Sequence, residues 1–216
     1  MITMQTITTN TLTDTMYYKE IPVFTYKINY PSFTTTCSDD ASESINQHYT
    51  QLAQKTEEYG RKVLYTQAAA DAEYPQSPRP FPIYTLDVVY QITYNAGCIV
   101  SLYMDTYTYA GGAHGQTIRT SDTWDFNTGK SLRLTDFYPL TPVSLYQLQK
   151  SMEEQVAERL KANPGIYFED YRALLQDTFN VNSFYIQPGM IVIYYQQYDI
   201  APYSTGLPEF YIPVNF

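Results

Sequence analysis

A chain of 216 residues with 44% hydrophobic and 16% charged residues can bury one substantial core, which excludes a disordered tail or linker as its main character. The formal charge of -9, with 13 Lys and Arg that form no basic stripe, excludes nucleic acid as a partner. No apolar run approaches the roughly 20 residues that cross a bilayer, so no membrane-spanning helix is expected.

The Thr-rich start "MITMQTITTNTLTDT" lacks the charged and apolar regions of an export signal, and residues 1–16 are expected to be a flexible N-terminal segment. In "VFTYKINY", Phe24, Tyr26, Ile28 and Tyr30 alternate with Thr25, Lys27 and Asn29. This is the period of a half-buried strand, and Pro31 is expected to end it. Ile45, Tyr49, Leu52, Tyr59 and Val63 then recur at three- and four-residue steps or their sums, behind Asp40 and Glu43 at capping-box spacing. The pattern predicts a helix over 39–70, followed by the stiff connector "YPQSPRPFP".

The centre of the chain alternates most clearly. Tyr84, Leu86, Val88, Tyr90, Ile92 and Tyr94 share one face, with Thr85, Asp87, Gln91 and Thr93 on the other. "NAG" turns this strand into a second over 98–109, and a third over 116–126 carries Ile118, Trp124 and Phe126 in phase. An antiparallel meander follows, its second turn at "GGAHG" and another turn at "NTGK". Thr141 before Pro142 predicts the cap of a helix running to about 162, with Leu145, Leu148, Met152, Val156 and Leu160 as its stripe. A shorter helix over 168–177, two strands joined at Pro188 and Gly189, and a last strand "LPEFYIPV" complete the chain. The expected class is α+β, an antiparallel sheet with helices packed on one face in a single compact unit. Its regions are 17–80, strand plus long helix, and 81–216, the remaining α+β part.

Two stretches stand out chemically. In "YAGGAHGQT", Gly111 and Gly112 permit a tight turn, and His114 is either a general base or ligand, or a hydrogen-bonding fixer of that turn. No HExxH, paired-His or nucleophile-elbow pattern accompanies it, which favours the fixer. In "YYQQYDIAPYSTG", Asp199 among Tyr195, Tyr198 and Tyr203 is either a carboxylate of raised pKa or an acceptor for backbone amides that bend the loop. Glycoside chemistry would need a second acid, for which Asp105, Asp122 and Asp125 are candidates. Cys37 and Cys98 are too few for a zinc site or a redox pair; one extracytoplasmic disulfide and two separate buried thiols both stay open.

"YTYAGGAHGQT", "WDFNTGKSLRLTDFY" and "YYQQYDIAPYSTGLPEFYIP" together resemble the C-terminal domain of RsiV-like anti-sigma factors, lysozyme receptors of Gram-positive bacteria (DUF3298). Related domains also occur beside a peptidoglycan deacetylase catalytic domain. Residues from about 20 to 75 resemble the DUF4163 domain that usually precedes it. The resemblance implies an extracytoplasmic, non-catalytic binding or sensor module that is not an enzyme and has no catalytic residue, metal or cofactor. The expected binding face unites the loops 109–116 and 195–206 through Tyr109, Gly111, Gly112, His114, Tyr195, Tyr198, Asp199, Pro202 and Tyr203. Its expected partner is lysozyme or another basic protein, attracted by the acidic surface. The alternatives are a peptidoglycan-binding accessory module and, third, a hydrolase using His114 with a carboxylate such as Asp199.

Overall fold

A computed structural model describes residues 4–73 and 81–214, so most of the expected proline-rich connector lies outside the described residues. Strands β1 (Thr6–Tyr18) and β2 (Ile21–Thr34) form a long antiparallel hairpin. The expected flexible segment 1–16 is therefore an edge strand from Thr6 onward. Its β-branched threonines suit a pleated surface, and Ile7, Leu12 and Met16 pack on the core without the regular spacing that would betray a strand.

Pro31 does not end β2, which continues to Thr34. The reason is positional. Phe33 N donates to Asn46 Oδ1 at 2.7 Å, so the odd-numbered amides here point away from β1, and pairing on that other side stops at Ile28. A missing N–H at Pro31 therefore removes no ladder bond.

Helix α1 (Asp39–Tyr59), a π-helical turn at Gly60–Leu64 and α2 (Tyr65–Glu73) form a continuous rod, opened by the Ser38 hydroxyl accepting from Ala41 N at 3.3 Å. Gly60 lets the rod approach the sheet, because a Cβ there would sit 3.0 Å from Leu86 and Phe24. The rod carries the chain back across the sheet, and β3 (Tyr84–Ala96) consequently pairs parallel to β2, Phe24 opposite Tyr84 through Ile28 opposite Val88. The expected all-antiparallel sheet thus contains one parallel pair. β4 (Ile99–Tyr109), β5 (Gln116–Asp125) and the short β6 (Lys130–Ser131) complete a six-stranded sheet in the order β1-β2-β3-β4-β5-β6. A Cys37–Cys98 disulfide ties the entry of α1 to the β3–β4 turn, deciding between the two alternatives for these thiols.

The rest of the chain builds a second layer. Helix α3 (Pro142–Ala162), capped by Thr141, and α4 (Tyr171–Asp177) pack with a three-stranded antiparallel sheet, β7 (Phe184–Gln187), β8 (Met190–Tyr194) and β9 (Glu209–Pro213). This small sheet covers the polar face of the large one. Ser101 Oγ accepts from Ile186 N at 3.0 Å, and the Tyr103 and Tyr185 rings lie 5.2 Å apart. The class is α+β, in one compact unit with two sheets rather than one. One apolar core draws on residues from Val23 to Phe126 and another on Leu134 to Ile212, so a boundary at residue 80 cuts through a sheet and a core. No helix among the described residues is long and apolar enough to cross a membrane.

Candidate functional site

The turn after β4 is shaped by three glycines with different duties. Gly111 and Gly112 have φ of +85° and +88°, a region that favours glycine. Gly115 is required by space instead, since a Cβ would lie 2.5 Å from both Thr108 O and the Tyr107 ring. Tyr109 donates from its hydroxyl to Gly112 O at 3.1 Å and ties the turn together. At its exposed tip, His114 Nδ1 lies 2.9 Å from Gly115 O and donates to it, since a carbonyl only accepts. The Tyr198 hydroxyl stands 3.4 Å from Nε2, and the imidazole stacks on Tyr203 with ring centres 3.9 Å apart. Tyr198 and Tyr203 lie 6.1 Å apart. The turn after β4 and the loop after β8 thus meet in one aromatic platform, with Tyr198 50% exposed at its rim.

Beneath the platform two glutamines fasten the loop to the edge of β5. Gln196 accepts from Arg119 N at 3.0 Å and donates to Arg119 O at 2.7 Å, while Gln197 accepts from Thr117 N at 2.8 Å. Asp199 closes the loop by accepting from Gln196 N at 2.8 Å, and burial holds its carboxyl above the ordinary carboxylate value. Pro202 leads into a 3-10 turn at Tyr203–Thr205, which Thr205 anchors by donating to Ile166 O at 2.6 Å. Tyr195 does not belong to the platform. It is 2% exposed, packs edge-on against Phe210 and donates to Leu175 O at 2.7 Å, so the expectation that it lines a binding face is corrected to a core role. Burial pushes its phenol well up.

The acids weighed for catalysis are committed elsewhere. Asp105 receives both Nε and Nη2 of the buried Arg119 at 2.7 Å each, while Nη1 donates to Glu209. The guanidinium lies 3.7 Å from the Tyr103 ring centre, and Tyr185 donates to Glu209 at 3.0 Å. Asp122 accepts from Tyr49 at 3.1 Å with His48 3.8 Å away; burial raises its pKa against the opposing pull of both neighbours. Asp125 caps the 127–130 turn, and hydrogen bonds from Asn127 and Thr128 hold its pKa low against the effect of partial burial. Neither ring nitrogen of His114 is oriented by a carboxylate among the described residues. Among those residues no group of three His, Cys, Asp or Glu is placed to hold a metal ion.

The glutamine clamp and the Arg119 cluster are absent from the sequence-based expectation. An arginine inside an alternating strand, Arg119, is the sequence feature from which a buried counter-charge is inferable.

Residues 18–117 match a family model described as "Deacetylase PdaC", and residues 139–215 match one described as "Protein of unknown function (DUF3298)". Over 188 residues the chain is 27% identical to the peptidoglycan-N-acetylmuramic acid deacetylase PdaC of Bacillus subtilis (strain 168), a match covering 85% of this chain and 36% of that protein. The chain therefore spans about a third of the length of this curated relative. A crystal structure of a DUF3298 family member from Bacteroides fragilis NCTC 9343 superposes with a TM-score of 0.67 at 19% identity, covering 97% of this chain and 90% of that one. Another, from Pseudomonas aeruginosa PAO1, gives 0.60 at 19% identity, covering 96% and 91%. At such identities the two structures establish the shared fold. The expectation that the chain is not an enzyme is overturned, because both the N-terminal family model and the curated relative carry the name of a deacetylase.

Proposed function

We propose that this chain is an extracytoplasmic, cell-wall-acting module that holds peptidoglycan glycan for deacetylase chemistry of the kind its relative is named for. The observation that carries the proposal is the platform of His114, Tyr198 and Tyr203, rings presented at the surface by two loops that fasten to one strand. Sugar rings expose C–H faces that pack on aromatic rings, and the Tyr198 hydroxyl adds a polar handle at the edge. The disulfide supports an oxidising compartment. In this reading His114 sets the tilt of Tyr203 and Tyr198, and its own exposed face extends the stacking surface.

Co-sedimentation with purified peptidoglycan tests the reading. Tyr198→Ala and Tyr203→Ala are each expected to weaken binding roughly tenfold, the loss of one aromatic contact. Acetate released from the same substrate measures what the chain contributes to deacetylation. A wild-type chain that stays in the supernatant would refute glycan engagement. The net charge of -9 favours a second reading, a lysozyme or other basic-protein sensor. That reading requires affinity for lysozyme that falls steeply with added salt yet persists in the physiological range.

A further inference from the structure

The edge of β5 already captures amides. Thr117, Arg119, Ser121 and Thr123 share one phase of the strand, and the bonds to Gln196 and Gln197 show that this phase points outward, away from β4. At Arg119 the Gln196 carboxamide fills both backbone positions, accepting from N–H and donating to C=O. At Thr117 the Gln197 oxygen takes the N–H, and at Thr123 the carbonyl accepts from Leu132 N at 2.7 Å. Ser121 presents the same pair of atoms, and no protein group among the described residues pairs with either one. Its own hydroxyl is engaged with Phe184 O and Tyr194, so only the backbone pair is on offer.

This pair lies in a groove of about 360 Å³ whose walls include Thr120, Asn180, Asn182 and Tyr194, with Ile118 at the rim. The volume suits one sugar ring with a substituent. Amide and hydroxyl groups in the walls match sugar hydroxyls, the Arg119 that also lines the groove spends its charge on Asp105 and Glu209, and half-exposed Ile118 offers apolar surface for a methyl group. Resting on the glycan reading above, we propose that Ser121 receives the acetamido group of an N-acetylated amino sugar. The acetamido carbonyl would accept from Ser121 N, as the Gln196 oxygen accepts from Arg119 N, and a sugar hydroxyl would donate to Ser121 O, because the N–H of a trans secondary amide points away from its own carbonyl. From Thr117 to Ser121 the strand rises roughly 13 Å, so one short glycan could reach from the platform to the groove.

The test is a titration followed by amide proton and nitrogen NMR, using a tetramer of β-1,4-linked N-acetylglucosamine, the glucose tetramer of equal length, and an N-acetylated alanine tripeptide. The N-acetylated sugar is expected to shift the Ser121 amide saturably. Asn182→Trp and Thr120→Trp, which fill the groove from two sides, are each expected to weaken that binding at least about tenfold. Their thermal unfolding should match wild type, and agreement between them guards against one variant misfolding. Movement at Tyr198 and Tyr203 with Ser121 silent overturns the acetamide slot and leaves the platform reading intact. An equal response to the glucose tetramer, or a stronger one to the tripeptide, overturns the assignment to an N-acetylated sugar. If no resonance moves with either sugar, the slot and the glycan reading fall together.

Discussion

Replacing Arg119 by Met keeps the chain length and the contact with the Tyr103 ring but removes the charge that faces Asp105 and Glu209. The guanidinium side chain is 8% exposed, and the two carboxylates are 20% and 25% exposed. Removing one member of a buried ion pair costs about 3–5 kcal/mol, because the remaining charge stays in a poorly solvated place. Partial access of water to both carboxylates puts the loss at the lower end, about 3 kcal/mol. With a urea slope of about 2 kcal/mol/M, that lowers the midpoint by about 1.5 M. The single tryptophan, Trp124, reports the transition by fluorescence. Adding Asp105→Asn and Glu209→Gln to the same chain should recover at least half the loss, since neutral amides no longer need a counter-charge. Asp105 and Arg119 lie on the large sheet and Glu209 on the small one, and an Arg119→Met midpoint within about 0.5 M of wild type would refute a stabilising role for this link between them.

Reduction of the Cys37–Cys98 bond, which closes a loop of 61 residues, is expected to cost about 4 kcal/mol in the chain-entropy account, read as a drop in Tm with reductant; an unchanged Tm contradicts it. Gly115→Ala should cost about 1–3 kcal/mol, because its Cβ meets the Thr108 carbonyl at 2.5 Å and backbone must move, whereas Gly97→Ala pays only for its positive φ. Differential scanning calorimetry that ranks the two the other way removes the crowding argument. Tyr26 and Tyr84 are each pushed up from 10.0 to about 12, chiefly by burial. Between those values the unfolded chain has lost phenol protons that the folded chain keeps, so stability falls as pH rises through this window. Tyr26→Phe and Tyr84→Phe should flatten the decline seen in urea midpoints, and an equally steep decline in both variants counts against it.

Local periodicity reported the elements it could reach. α3 was legible from Thr141, Pro142 and a stripe ending in Leu160, because cap and stripe are both written within one segment. β1 was not, since its threonines carry strand preference without apolar alternation, and its partner β2 supplies the order. Tyr195 was misplaced for a related reason. β8 is buried on both faces, so Ile191, Val192, Ile193, Tyr194 and Tyr195 give no alternation that separates core from surface. The meeting of His114 with Tyr198 and Tyr203 was legible only as two unusual loops; their contact spans some 80 positions of chain and depends on the second sheet lying over the first. The Gln196 clamp left no local trace, because a glutamine that pairs with a strand 77 residues away looks like any polar loop residue.

The two glutamines have a bearing on solubility as well. A strand with bare outward amides invites a second molecule to zip alongside, and fibrils can grow from such seams. Gln196 and Gln197 occupy that seam at Thr117 and Arg119 with groups too short to propagate it, so the same loop that carries the tyrosines also covers part of an edge open to strand pairing. Shortening or swapping this loop to retune recognition is therefore expected to uncover strand edge and favour self-association.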